Sequence, residues 1–329
     1  MCSARAYSGV VFVYSAKLKL KFRGLTTRQG VIFEGPAGWA EFAPFAEYGD
    51  GEAAQWLQAA HEAAFEGFPA PVRSHIPVNV TVPATSAQNA FSVVTRSGGC
   101  TTAKVKVAEK GQTLSDEVAR LEAVRAALGP AGKIRIDANG GWDVETAVAR
   151  LKVLDRAAGG LEYVEQPCAS VEELAQVRRA TSVLVAADES IRRARDPYRV
   201  KELEAADVMV VKVAPLGGVT RCLELVEDIG LPVVVSSALD SSVGLSAGVA
   251  LAAALPSLPF ACGLATSELF ASDVTSRPLL PADGKIEVRT VAPDETALAQ
   301  VTANSQDAQW WTERLNRVAS SYGIELPGS

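Results

Sequence analysis

Val208-Met209-Val210-Val211-Lys212-Val213 is an apolar, β-branched run interrupted by a single charge. Its composition is that of a strand buried on both faces, as in a parallel sheet. An ammonium group in such a place is costly unless something there pairs with it. Working outward, the pattern recurs. Strands are expected upstream at 183–188, 161–165, 134–137, 103–107 and 78–82, and downstream at 233–237 and 261–264. Helical stretches lie between most of them, at 114–128, 144–157, 171–180, 198–205, 220–229 and 242–254. Strands and helices alternating in this way predict a closed α/β barrel with an interior packed by Val and Ile.

The first 75 residues or so differ from the rest. Short strands at 7–14, 17–22 and 31–34 precede a helix over 50–65, in which Trp56, Leu57, Ala60, Ala64 and Phe65 recur at helical spacing. This describes a small α+β domain over 1–75, bounded by Phe68-Pro69-Ala70-Pro71 and Pro77. The barrel is expected over 76–269. A full eightfold barrel takes about 250 residues, so this one is short, and no eighth helix precedes the polar segment from Ser272 to Thr296. The segment 270–329 carries a late helix, 306–318, expected to pack back on the first domain.

The 329 residues are 48% hydrophobic and 21% charged, as in a soluble globular protein. The net charge of −6 and the lack of a Lys/Arg-rich run argue against a nucleic-acid partner. The apolar stretch 247–255 is about half of a membrane span, and the run at 10–14 is too brief for a signal-peptide core. Cys2, Cys100, Cys168, Cys222 and Cys262 are too scattered for structural zinc or a redox dithiol, and read as buried thiols. A cytoplasmic protein without a membrane partner is expected.

Charged or polar residues recur at the C-terminal ends of the expected strands: Lys104 and Lys106, Asp137, Glu165, Asp188, Lys212, then Ser236 and Ser237. In a barrel those ends converge on one mouth, where active sites form. Asp137, Glu165 and Asp188 come from three adjacent strands. Their mutual repulsion is relieved by a hard divalent cation, and Mg2+, which keeps positions for water and substrate, is the natural candidate, with Mn2+ able to substitute. Lys104 and Lys106 lie two apart on one strand and point to the same side. Lys212 faces them across the ring. Depressed pKa values are expected for these lysines, which would make them general bases near neutral pH.

Lys-x-Lys at 104–106, Asp-Ala-Asn at 137–139, Glu-Gln-Pro at 165–167, Asp-Glu-Ser at 188–190 and Lys212 together resemble the muconate-lactonising subgroup of the enolase superfamily. The resemblance implies a capping domain over a (β/α)7β barrel, which accounts for the missing eighth helix. It implies a small-molecule carboxylate substrate that loses the proton next to its carboxylate, with Lys106 as acid/base, Lys212 stabilising charge from the opposite side, Lys104 tuning its neighbour, and Asn139 and Glu189 behind them. Stretches 23–30, 38–44 and 236–244 favour a dehydrating member over a racemising one. Arg23 and Arg28 are assigned to substrate contact, under a lid loop that is short for the family.

Two other motifs are set aside. Gly244-Leu245-Ser246-Ala247-Gly248 has the form of a hydrolase nucleophile elbow, but His61 and His75 both lie upstream, where the triad order forbids them. Leu216-Gly217-Gly218-Val219 lacks the Lys-Ser/Thr continuation of a phosphate loop and reads as a connecting turn.

Overall fold

A computed structural model describes residues 11–193 and 196–326; Cys2 and positions 7–10 of the first expected strand lie outside them. β1 (Val11–Phe22) and β2 (Leu25–Glu34) form an antiparallel hairpin, and β3 (Trp39–Phe42) adds to β2. The strands expected at 7–14 and 17–22 are therefore one. Ser15 and Ala16 between them pair straight through with Gln29 and Arg28. The chain reverses only at Arg23 and Gly24, whose φ values of 51° and 77° suit a two-residue hairpin turn. α1 (Asp50–His61) runs on into a wider π turn over Glu62–Glu66 and completes this small domain.

After β4 (His75–Pro77) the barrel begins with β5 (Val80–Val82), α2 (Ala87–Thr95), β6 (Thr102–Lys106) and α3 (Leu114–Leu128). It continues through β7 (Lys133–Asp137), α4 (Val144–Ala158), β8 (Tyr163–Glu165), α5 (Val171–Ala180) and β9 (Val185–Ala187). The short α6 (Glu189–Arg192) and α7 (Arg199–Glu202) lead to β10 (Val208–Val211), α8 (Val213–Leu216), α9 (Val219–Ile229), β11 (Val233–Val235) and α10 (Ser242–Ala254). β5 to β11 lie side by side in chain order as one parallel sheet. The helices start where the sequence supplies caps: Thr113 with Asp116, and Ser170 with Glu173, form reciprocal capping boxes on α3 and α5.

The eighth strand expected at 261–264 is reduced to two residues. Cys262 bridges Val78 and Gly263 bridges Ser236, which closes the ring between its first and seventh strands. The approach at Gly263 is close: a Cβ there would stand 2.5 Å from Ser236 Oγ, which would have to turn away. The helix expected at 198–205 is only Arg199–Glu202, and α2 was not foreseen.

β12 (Lys285–Glu287) pairs with β4, and α11 (Glu295–Val301) and α12 (Ser305–Tyr322) follow. Trp311, Leu315 and Val318 of α12 share a core with Phe42 and Trp56 of the first domain, and Arg314 donates to the Tyr48 carbonyl at 2.6 Å. A second tie joins the small domain to the barrel. Glu62 accepts from the backbone amides of Val219 and Thr220 at the start of α9, so the turn at 216–219 is filled by a carboxylate of the chain itself. The described cysteines are buried and unpaired, and no described helix is long and apolar enough to cross a membrane.

Candidate active site

The C-terminal ends of the barrel strands surround a cavity of about 590 Å3. Lys104, Lys106, Asn139, Glu189 and Lys212 line it, as do Ser236, Ser237 and Arg23. Beneath it lie Asp137, Glu165 and Asp188, each at most 1% exposed. Sheet register brings them there: Asp137 stands opposite Lys106 on one side and Glu165 on the other, and Asp188 follows the end of β9. β6 and β10 are separated by three strands, so the Lys104/Lys106 pair and Lys212 approach from different sides of the ring. Arg28 does not reach the cavity. It is 2% exposed and donates to the carbonyls of Leu239, Gln29 and Ala43.

The buried charges are paired one by one. Lys104 Nζ donates to both Glu165 oxygens at 2.9 and 3.0 Å and lies 3.4 Å from Asp137 Oδ2. Lys106 Nζ donates to Asp137 Oδ2 at 2.6 Å and to Asn139 Oδ1 at 2.7 Å. Lys212 Nζ donates to Asp188 Oδ2 at 2.5 Å. Asn139 also donates to Glu189 Oε1 at 3.2 Å, which links the ends of β7 and β9.

Two residues without a sequence-derived role complete the floor. Arg192 donates Nε to Asp188 Oδ1 at 2.9 Å, Nη2 to Glu189 Oε1 at 2.6 Å and Nη1 to the Tyr48 hydroxyl at 3.3 Å. Gln166, fully buried, accepts from the amides of Asp188 and Ser190 and donates to Ser190 Oγ and the Cys168 carbonyl. Gln166 was legible only as part of the Glu-Gln-Pro motif. Arg192 sits on a turn of helix, where arginine is unremarkable.

These pairings set the protonation states. Burial alone would raise the Asp137 carboxyl, but Lys106 and Lys104 carry it well below the carboxylate range. Lys212 and Arg192 do the same for Asp188. Glu165 is pushed up to about 7, by burial and then by Asp137, with Lys104 opposing. Burial also lowers Lys212, in spite of Asp188, and the cations Arg192 and Lys104 add to the effect. Lys104 departs from expectation. Burial disfavours its charge, but Glu165 and Asp137 outweigh burial and hold the ammonium above its usual range. The expected depression presupposed a cation on the carboxylates; with lysine itself as the counter-charge, the sign reverses.

Among the described residues, no group of His, Cys, Asp or Glu side chains is gathered tightly enough to enclose a metal ion as it stands. The three carboxylates are drawn toward lysine and arginine instead of one common point. The donor set nevertheless fits a hard divalent cation: it is all oxygen, buried and held by adjacent strand ends, and Glu165 is under strain from two neighbouring carboxylates.

Residues 13–64 match the family model described as enolase N-terminal domain-like, and residues 86–293 the one described as enolase C-terminal domain-like. The chain is similar to the o-succinylbenzoate synthase of Thermobifida fusca, at 59% identity over 92% of this chain and 93% of that one. It is similar to the o-succinylbenzoate synthase of Mycolicibacterium smegmatis at 51% identity, again over 92% and 93%. Its fold resembles that of the L-Ala-D/L-Glu epimerase from Bacillus subtilis, with a TM-score of 0.72 at 20% identity over 87% of this chain and 96% of that one. With the capping domain, the parallel barrel and the Lys/carboxylate mouth in place, the chain belongs to the enolase superfamily and, within it, to the o-succinylbenzoate synthase family.

Proposed function

We propose that the chain dehydrates 2-succinyl-6-hydroxy-2,4-cyclohexadiene-1-carboxylate to o-succinylbenzoate and water in menaquinone biosynthesis, using Mg2+ or, in its place, Mn2+. The observation that carries this reading is the approach of Lys106 and Lys212 from different sides to one cavity floored by three carboxylates. Asp137, Glu165 and Asp188 would hold the ion. When bound, it supplies positive charge beside the substrate carboxylate, which eases loss of the neighbouring proton.

Lys106 starts as a neutral amine and takes the proton from the ring carbon, while the C–H electron pair moves into the carboxylate. That pair then returns to form the ring double bond as the C–O bond breaks. The Lys106 ammonium gives its proton to the departing hydroxyl, which leaves as water from the same face, and the amine is regenerated. Lys212 remains cationic and faces the developing negative charge. Lys104, through Glu165, and Asn139, through its contact with Lys106, orient the groups that react.

A racemase or dipeptide epimerase would use the same lysines, but that alternative is not favoured: the relatives similar over most of the chain carry the synthase name, and 20% identity to an epimerase speaks for fold alone. The reading is of a cytoplasmic enzyme with a small-molecule carboxylate substrate, and the net charge of −6 argues against a nucleic-acid partner. Replacing a general base costs about 100-fold to 10,000-fold in rate. Lys106→Ala should therefore lose dehydration on that scale, measured by substrate absorbance, while circular dichroism stays that of wild type. Wild-type turnover would move the role to another residue.

A further inference from the structure

The chain leaving β11 lays Ser236, Ser237, Ala238 and Leu239 along the cavity wall and has no regular structure until Ser242. Leu239 holds a φ of 64°, uncommon for a branched side chain. Such a conformation persists only where its surroundings impose it. Part of the hold is local: the Ala238 amide donates to Asp240 Oδ2 at 3.0 Å, and the Leu239 amide to Ser237 Oγ at 3.3 Å.

The remainder comes from the capping domain. Arg28 on β2 donates Nε to the Leu239 carbonyl at 2.9 Å and Nη2 to the Ala43 carbonyl. Glu41 on β3 accepts from the Ser241 amide at 3.0 Å and from the Ser241 hydroxyl. Arg28, Glu41, Asp240 and Ser241 are all less than a tenth exposed. The fit is close, since a Cβ at Gly244 would meet Glu41 Cδ at 2.8 Å. Neither Arg28 nor Glu41 lines the cavity.

We infer that Arg28 and Glu41 are positioning residues, through which the capping domain sets the shape of the substrate-binding wall at 236–239. The seating of the cap and the affinity for substrate are then one property. Burial, and Asp240 beside it, push Glu41 up to about 8, so near neutral pH its neutral form is the relevant one and glutamine is its close isostere.

The inference rests on the proposed reaction only for its kinetic assay, and hydrogen exchange of the peptide spanning 236–241 tests it without that assay. Glu41→Ala and Arg28→Lys should speed exchange there at least tenfold and raise KM about tenfold, with kcat within about threefold of wild type. Glu41→Gln should restore both readouts. A purely structural role would instead lower the active fraction at unchanged KM. Ser241→Ala removes only one hydroxyl donor, and should raise KM and exchange at least threefold. If the larger substitutions fail to fold, Ser241→Ala decides alone. Unchanged exchange at 236–241 in any folded Arg28→Lys, Glu41→Ala or Ser241→Ala protein overturns the inference, and wild-type protein that fails to turn over substrate overturns only the reaction.

Discussion

Lys106 and Asp137 face each other at 2.6 Å on neighbouring strands, and that pairing contains the central tension of the site. Lysine supplies the counter-charge to Asp137 in this arrangement, whereas the proposed reaction needs Lys106 as its base. A divalent ion held by Asp137, Glu165 and Asp188 would supply that charge in place of lysine. Asp137→Asn, Glu165→Gln and Asp188→Asn should each cut kcat/KM by about 100-fold or more, since loss of outer-shell partners alone typically costs 10–100-fold. Exhaustive EDTA treatment should abolish turnover, and added Mg2+ or Mn2+ should restore it. Full activity with trace metal excluded would overturn the assignment. These residues were legible in the sequence because an ionisable group inside an apolar strand needs a reason to be there. Arg192 and Arg28 were not legible in the same way: Arg192 serves Asp188 from a turn of helix, where arginine is unremarkable, and Arg28 braces a loop more than 200 positions away, a range that leaves no local pattern.

At the level of elements, parallel strands buried on both faces and capped helices were readable from composition and spacing, and α3, α5 and α10 lie where expected. The departures have local causes. β1 runs unbroken because nothing at Ser15 or Ala16 turns the chain, and the eighth strand shrinks to a pair of bridges at Cys262 and Gly263. The amides at the start of α9 are satisfied by Glu62 from the other domain, a carboxylate at the positive end of a helix. Glu62→Ala leaves the buried Val219 amide unpaired. It should lower stability by about 1–3 kcal/mol, read from the urea midpoint, with KM for substrate unchanged. A midpoint equal to that of wild type would deny the capping role.

In the whole molecule, the cap and the barrel meet over a buried cluster of charge. Glu41 interacts with Asp240 and Asp273 from the barrel side and with Arg28 and Tyr14 from the cap. A carboxyl pushed up to about 8 by burial, from an ordinary value of 4.5, keeps in the folded state a proton that the unfolded chain has already released. Its contribution is therefore least unfavourable below about pH 4.5, and stability falls as pH rises from there towards 8. Glu41→Gln should flatten that fall, as followed by Tm between pH 5 and 8; an identical slope in both proteins would mean that Glu41 carries its charge when buried. A cap over a barrel was visible in the sequence as a change of pattern, but the joint between the two was not. The most direct measurement of the whole reading follows one preparation with Mg2+ in D2O by absorbance and NMR. The expected result is conversion of the cyclohexadiene substrate to o-succinylbenzoate at a kcat/KM of about 10⁴ to 10⁸ M⁻¹s⁻¹, with slow or no α-deuteration of N-succinylamino acids. Efficient deuteration of both enantiomers with negligible dehydration would contradict it.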